Sequence, residues 1–167
     1  MNNKYELTDE TKMVCGHILH RIKAIVDFAF VKKGEIGGWI ETENNLYQYG
    51  NSWVSGDAEV YGNARVYGNS WVSGNARVYG NARVYGDAEV SGNGDYIVFK
   101  NCWSSFRWFT YTRSNKKWNV GCFYGTGEEL IQKAYADSEQ SGKCYEAIVR
   151  AVEAIEAAKS EAKGEMK

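Results

Sequence analysis

Residues 51–68 read NSWVSGDAEVYGNARVYG, and residues 69–86 repeat that stretch at sixteen of eighteen positions. Each copy consists of units of six residues, with Val at the fourth position of every unit. A small residue, Ala or Ser, stands two places before each Val. A period of six is neither the 3.6 of a helix nor the 2 of a plain strand. It indicates short strands separated by sharp corners.

The corners are explained by the Gly-Asn and Gly-Asp pairs that join successive units, because these residue types accept positive φ. If Val points inward from each strand, three sides close a triangle, and one coil takes eighteen residues. The hexapeptide NSWVSG then returns on the same side of the next coil. Ile40 and Leu46 continue the spacing upstream, after a two-residue insertion near residues 47–50, which gives nine units. The pattern predicts a mainly β protein built on a triangular solenoid of about three coils.

The eighteen-residue coil also predicts which side chains are stacked on the outside. Trp53 should lie under Trp71, and Glu59 under Arg77, as an opposite-charge pair. Two further columns share one side of the solenoid, with Arg and Tyr alternating along each strand. Their members are Arg65 under Arg83 and Tyr67 under Tyr85.

The segments that flank the repeat predict caps for its two open ends. Residues 1–35 are expected to form an N-terminal β cap, with a hairpin around Gly16, and residues 36–94 the solenoid. Residues 95–167 are expected to form a C-terminal α+β module with three strands, at 95–100, 105–113 and 117–124. Two helices follow. The first starts at the capping box Thr126–Glu129 and the second, after a break at Gly142, near Lys143.

More of the chain than the repeat has a family resemblance. The run GHILHRIKAIVDFAFVKKGEIGGWIETENNL, then YGNARVYGNA-type repeats and then GCFYGTGEEL resembles a group of small proteins common in bacteriophage and prophage genomes. The repeat itself resembles the hexapeptide-repeat proteins, whose fold is a left-handed parallel β-helix. The left-handed turn is implied by that resemblance, and so is a phage-type role in a bacterial host.

The arginine–tyrosine side is the candidate contact surface for a protein partner. It comprises Arg65, Tyr67, Arg83 and Tyr85, with Asn63 and Asn81 at its corner. Arg beside Tyr can stack on planar groups or form fork-like bonds to acids. The competing interpretation is that the tyrosines only cover the coil and that the arginines confer solubility. Nucleic acid is disfavoured, because residues 51–92 hold three Arg against two Asp and two Glu.

Two apolar groups of residues are candidates for cap or oligomer contacts. Stacked indoles at Trp53 and Trp71 are costly in water unless the N-terminal hairpin, the C-terminal module or a second subunit covers them. The last helix carries an apolar seam at Tyr145, Ile148, Val152 and Ile155. That seam could pack on the C-terminal strands or on copies of itself in a dimer or trimer.

The sequence offers little for catalysis or for a metal. The only histidines are His17 and His20, both before the first coil, and with Cys15 they form C-x-H-x-x-H without a nearby fourth ligand. An acyltransferase would need one of these histidines as its general base. We expect no cofactor and no metal. The polar N-terminus lacks a signal-peptide pattern, and no apolar run is long enough for a membrane span, which favours a cytoplasmic protein.

Without a catalytic set of residues, the sequence favours a binding protein over an enzyme. Net charge is −1, from 20 basic and 21 acidic residues, and Pro is absent. The phage-type resemblance implies a non-catalytic scaffold that binds a host or phage protein, for example an inhibitor of a bacterial anti-phage defence factor. A hexapeptide-repeat acyltransferase and a structural or assembly component of a phage are the alternatives.

Overall fold

The computed structural model describes residues 3–164, and it begins with a hairpin. Strands β1 (Tyr5–Val14) and β2 (His17–Ala24) pair antiparallel around Gly16, which has φ +85°. The predicted hairpin is therefore confirmed. Strand β3 (Ile36–Ile40) pairs antiparallel with β2 on one edge and parallel with the solenoid on the other. The N-terminal hairpin thus continues directly into one side of the repeat.

The repeat forms seven two-residue strands. They are β4 (Trp53–Val54), β5 (Glu59–Val60), β6 (Arg65–Val66), β7 (Trp71–Val72), β8 (Arg77–Val78), β9 (Arg83–Val84) and β10 (Glu89–Val90). Strands β4, β7 and β10 make one parallel sheet, β6 and β9 a second, and β5 and β8 continue the sheet that contains β3. Partners are eighteen residues apart, as Trp53 with Trp71 shows. A short solenoid with an eighteen-residue register is therefore confirmed.

The interior of the coils holds the Val of every two-residue strand and the Ala or Ser that stands two places before it. These side chains are fully buried, and each buried Val contributes about 1.5–3 kcal/mol. The corners need glycine, as Gly68 illustrates. Its φ is +77°, and a Cβ there would lie only 3.0 Å from the backbone nitrogen of Gly86 in the next coil.

After the repeat, the chain makes a four-stranded antiparallel sheet. Its strands are β11 (Tyr96–Lys100), β12 (Trp108–Thr112), β13 (Lys117–Val120) and β14 (Phe123–Gly125). The prediction of three strands was wrong, because residues 117–124 do not form one strand. Gly121, at φ +62°, reverses the chain there, so that Val120 pairs with Phe123.

Two helices cover one face of this sheet. Helix α1 (Gly127–Asp137) begins at the predicted capping box, in which the Thr126 hydroxyl accepts the Glu129 N–H. Helix α2 (Glu139–Gly164) starts four residues earlier than predicted, and the expected break at Gly142 was wrong. Gly142 lies inside α2, where a Cβ would overlap the ring of Tyr135 on α1. The glycine therefore serves close packing of the two helices. The ends of the predicted terminal modules, residues 1–2 and 165–167, lie outside the described part.

The lower end of the solenoid presents backbone carbonyls, and the N-terminal residues supply donors to them. The Lys4 ammonium donates to Ser52 O at 2.6 Å, and the Asn45 amide donates to Ala64 O at 2.9 Å. On the third side, the N–H of Trp39 donates to Ala58 O. At least one carbonyl on each side of the first full coil is thereby paired.

The upper end presents backbone N–H groups, and side-chain oxygens of the chain that follows the repeat accept them. Asn93 Oδ1 accepts from Arg77 N at 2.7 Å, and Ser114 Oγ accepts from Glu89 N at 2.8 Å. On the third side, the hydroxyl of Thr110 accepts the backbone N–H of Arg83 in β9 at 3.0 Å. At least one edge group per side is thus paired at each end, which blocks addition of further strands.

Candidate binding groove on the Arg65–Arg83 side

The sheet of β6 and β9 places Arg65 directly under Arg83, and both side chains are exposed. One residue further along, the rings of Tyr67 and Tyr85 stack with centroids 4.4 Å apart and an interplanar angle of 23°. The eighteen-residue register produces both columns. Four of the six residues predicted for the contact surface therefore lie together on one side.

The residues around Arg65 and Arg83 form a groove with a volume of about 590 Å³. Tyr67 lines this groove, and the segment before the repeat contributes Tyr47 and Tyr49 to the lining. The rings of Tyr47 and Tyr49 meet edge to face at 5.3 Å. The groove thus combines two guanidinium groups with three aromatic rings.

The C-terminal sheet covers part of the tyrosine column. The Asn119 amide donates to the Tyr67 hydroxyl at 2.8 Å, and the Tyr85 ring meets Tyr124 edge to face at 4.7 Å. Burial raises the pKa of Tyr67, and the hydrogen bond from Asn119 partly offsets the rise. The tyrosines are therefore partly structural, joining the solenoid to the C-terminal sheet, while the two arginines remain exposed.

A smaller depression of about 200 Å³ lies at the corner, where Asn63 and Asn81 join Arg65 and Arg83. The structure thus brings together all six residues of the predicted contact surface. Trp108, at the start of β12, also lines this depression. Sequence reasoning missed Trp108, because nothing in the period of the repeat connects residue 108 with the arginine column.

The arginine pair differs in charge balance from the neighbouring side of the solenoid. There Glu59 is buried, and its carboxylate lies 2.9 Å from Arg77 Nε and 2.7 Å from Lys12 Nζ. The contact with Arg77 is an ion pair by distance without an aligned hydrogen bond. Among the side chains of residues 3–160, neither Arg65 nor Arg83 has a carboxylate within 4 Å. Arg83 is nevertheless oriented, because its Nη1 donates to Gly121 O at 3.0 Å.

A third depression, of about 510 Å³, lies on the far side of Arg65 and contains His17 and Glu41. The two groups are 2.9 Å apart, from His17 Nδ1 to Glu41 Oε1, and the N–H of Gly62 donates to the other oxygen of Glu41 at 2.7 Å. The bond to His17 and then the bond to Gly62 lower the pKa of Glu41. This pair has the geometry of a histidine oriented by a carboxylate.

The other metal-capable residues do not join that pair. His20 Nδ1 lies 3.3 Å from the carbonyl of Thr8, and Cys15 is exposed at the turn of the hairpin. In the described part of the chain, no three His, Cys, Asp or Glu side chains are grouped closely enough to hold a metal ion.

The residues suggested for cap or oligomer contacts are largely internal. Trp53 is fully buried under the N-terminal segment, where its ring meets Tyr5 and Phe28 edge to face, while Trp71 is half-buried. On α2, Tyr145 and Val152 are buried in the core against the C-terminal sheet. Ile148 packs against that core, and Ile155 is exposed.

Comparison with known families identifies the repeat. A family model described as the YdcK beta solenoid repeat matches residues 58–74 and 76–92. The repeat is similar to that solenoid repeat. The matched segments include Arg65 and Arg83, and they leave both flanking regions unmatched. No curated protein sequence matches the chain. Among residues 3–164, no helix combines the length and the apolar character that crossing a bilayer requires.

Proposed function

We propose that the protein is a non-catalytic scaffold that binds another protein through the Arg65–Arg83 groove. The observation that carries this proposal is the pair of exposed guanidinium groups. No carboxylate of residues 3–160 lies within 4 Å of either, although the neighbouring Arg77 has one. Arginine and tyrosine are enriched among the residues that dominate binding energy at protein interfaces. A solenoid closed at both ends holds these groups on short strands rather than on loops, so little order is lost on binding.

We further propose that the partner is a host protein. The resemblance of the flanks to phage proteins supports a host protein as partner, for example a component of an anti-phage defence that this scaffold inhibits in the bacterial cytoplasm. A structural or assembly role in a phage, with a phage protein as partner, is the variant to distinguish from it. The resemblance to hexapeptide-repeat proteins likewise supports a left-handed turn and a triangular cross-section for the solenoid.

The test is affinity capture from bacterial lysate with the wild type and with Arg65→Glu/Arg83→Glu. The double variant should keep its fold, because exposed substitutions usually change stability by at most about 0.5 kcal/mol. It should lose a specific protein, identified by mass spectrometry, that the wild type retains. The matched control is Lys33→Glu/Lys133→Glu, which makes the same charge change at exposed positions elsewhere. Equal capture by the two double variants would refute the groove as the contact surface.

One observation favours an enzyme as the second candidate. His17 is paired with Glu41 beside a depression, as a general base would be, so an acyltransferase acting on a small acceptor is the alternative. Transfer from acetyl-coenzyme A to a panel of amines and alcohols tests it. His17→Ala should abolish such transfer if His17 is the base. Transfer that persists in His17→Ala, or that is absent in the wild type, excludes this role for His17.

A further inference from the structure

The groove continues onto one end of the C-terminal sheet. Trp108 lines the same depression as Arg65 and Arg83. The carbonyl of Gly121 accepts from Arg83, and the stem of the Arg107 side chain packs against Gly121, with Cδ 3.3 Å from the position a Cβ would take there. The loop of residues 101–107 connects β11 to β12, and its last residue, Arg107, therefore lies next to the arginine pair.

The C-terminal sheet carries charged side chains of only one sign. Residues 96–125 contain Lys100, Arg107, Arg113, Lys116 and Lys117 and no carboxylate. Arg113 is neutralised from outside the sheet by Glu156, at 2.8 Å. Lys100 and Arg107 have no such carboxylate partner among the side chains of residues 3–160. Lys100 and Arg107 thus extend the positive charge of Arg65 and Arg83 onto the loop end of the sheet.

The loop holds two large aromatic side chains in solvent. Trp103 is 71% exposed and Phe106 is 67% exposed. Phe106 has φ +54°, a conformation that costs a non-glycine residue roughly 1–2 kcal/mol. Exposed rings on a strained backbone are expensive for folding alone, and such strain concentrates at ligand-binding sites.

The strain is maintained by a network under the loop. Asn101 is fully buried, and its Oδ1 accepts the N–H of Trp103 at 2.9 Å, while its backbone N–H donates to Arg107 O at 2.9 Å. The Tyr145 hydroxyl on α2 donates to Ser105 Oγ at 2.8 Å. The loop is therefore fixed before any partner arrives, which reduces the entropy lost on binding.

We infer that the Arg65–Arg83 groove and the loop 101–107 form one contact surface whose occupant is an acidic segment of a partner protein. Its carboxylates pair with Arg65, Arg83 and Arg107, and an aliphatic or aromatic side chain of the segment packs against Trp103 and Phe106. The inference rests on the proposed function and extends it to the chemistry of the partner. Guanidinium groups pair with carboxylates in bidentate geometry, and aromatic side chains are typical anchors beside them.

A protein segment fits this surface better than a nucleic acid. The basic groups are few and local, and residues 51–92 carry three Arg against four carboxylates. Glu43 also lines the groove. A phosphate chain would meet these negative charges, whereas a folded partner can place its carboxylates only where the arginines are.

The experiment uses the full chain and a fluorescein-labelled peptide in which glutamates alternate with leucine and tryptophan. Its counterpart has glutamine at every glutamate, and a single-stranded oligothymidine carries the same label. We expect the glutamate peptide to bind at least about tenfold more tightly than the glutamine peptide, and the difference to shrink with added salt. Arg65→Glu/Arg83→Glu and Trp103→Ala/Phe106→Ala should each weaken the glutamate peptide by about tenfold or more.

Two controls match these changes in chemistry. Lys33→Glu/Lys133→Glu reverses two exposed charges away from the surface, and Phe30→Ala removes a ring that is 88% exposed on the N-terminal segment. Both should bind like the wild type. Thermal unfolding of every variant separates loss of binding from loss of fold.

Three results would overturn the inference. They are equal binding of the two peptides, unchanged binding after Trp103→Ala/Phe106→Ala, and tighter binding of oligothymidine than of the glutamate peptide. The proposed function is tested by a separate result. If Arg65→Glu/Arg83→Glu loses the captured protein while the glutamate peptide shows no preference, the groove binds a protein and only the acidic segment is wrong.

Discussion

The backbone N–H of Arg83 donates to the hydroxyl of Thr110 at 3.0 Å. One coil below, the equivalent N–H of Arg65 donates to the carbonyl of Ala82, also at 3.0 Å. The side chain of Thr110 thus replaces the main chain of the coil that would come next. On this side of the solenoid, the edge of the last coil is closed by a hydroxyl instead of a further strand.

Thr110→Val tests this replacement. Valine keeps the shape of the side chain and removes the acceptor, so the Arg83 N–H is left without its partner at a partly buried site. We expect a loss of about 1–2 kcal/mol in the free energy of unfolding, measured by urea denaturation. Thr11→Val, at an exposed position on β1, should change it by less than about 0.5 kcal/mol. Equal stability of the two variants would show that the hydroxyl is not needed.

Deletion of residues 69–86 tests the eighteen-residue coil. The deletion joins Gly68 to Asp87, so Tyr67 takes the place of Tyr85 against Tyr124, and the Arg65 N–H takes the place of that of Arg83. We expect a folded, monodisperse protein of lower stability, because the buried Val of three strands is lost. Deletion of residues 69–74 alone moves every later unit to another side and should abolish folding. Circular dichroism and size-exclusion chromatography compare the two; similar behaviour of both deletions contradicts the coil.

Lys4 gives a prediction for pH. Burial lowers the pKa of Lys4 to about 8 from its ordinary 10.5, so between these values the unfolded chain binds a proton that the native protein does not. Stability should therefore rise with pH, by about 2 kcal/mol between about pH 7 and pH 9.5. Above about pH 10 the trend reverses, because burial raises the pKa of Tyr96 to about 12 and that of Tyr5 as well.

Urea denaturation across this range measures the effect, with Lys4→Met as the comparison. The methionine variant should lack the rise and keep the decline at high pH. Only the change of its stability with pH is compared with the wild type, because the methionine variant also loses the donor to Ser52 O at every pH. A wild-type curve that is flat from neutral pH to about pH 9.5 would show that Lys4 is not desolvated in the native state.

Gly142→Ala tests the contact between α1 and α2. The added methyl group overlaps the ring of Tyr135, so we expect a loss of about 1–3 kcal/mol, even though alanine favours a helix more than glycine does. In the background of Tyr135→Ala, the same substitution should be neutral or stabilising. Urea denaturation of the four proteins gives the coupling between the two positions. Equal effects in both backgrounds would contradict the contact.

The repeat could be predicted from the sequence because each unit carries its structural signal within six adjacent residues. Val60, Ala64 and the glycine between them fix strand, corner and register without information from elsewhere in the chain. The register then predicts the stacking of Arg65 with Arg83 and of Glu59 with Arg77, as the structure shows.

The remainder depends on contacts between residues far apart in sequence, which no period reveals. Gly142 looks like a helix break until the ring of Tyr135 is placed against it. Trp108 joins the groove only through the packing of the C-terminal sheet on the last coil. Asn101 is one polar residue among many until its hydrogen bonds fix the loop that carries Trp103 and Phe106.

The way in which the two caps bind the solenoid allows the number of coils to vary. Their hydrogen bonds to the open edges of the solenoid go to its main chain, and the main chain is the same in every coil. The stretch NSWVSG occurs twice, at residues 51–56 and 69–74, so the encoding repeats can recombine out of step in whole coils. Each coil gained would add one arginine to the column of Arg65 and Arg83 and leave both caps intact. The valency of the surface can thus change by one genetic event, without a new fold.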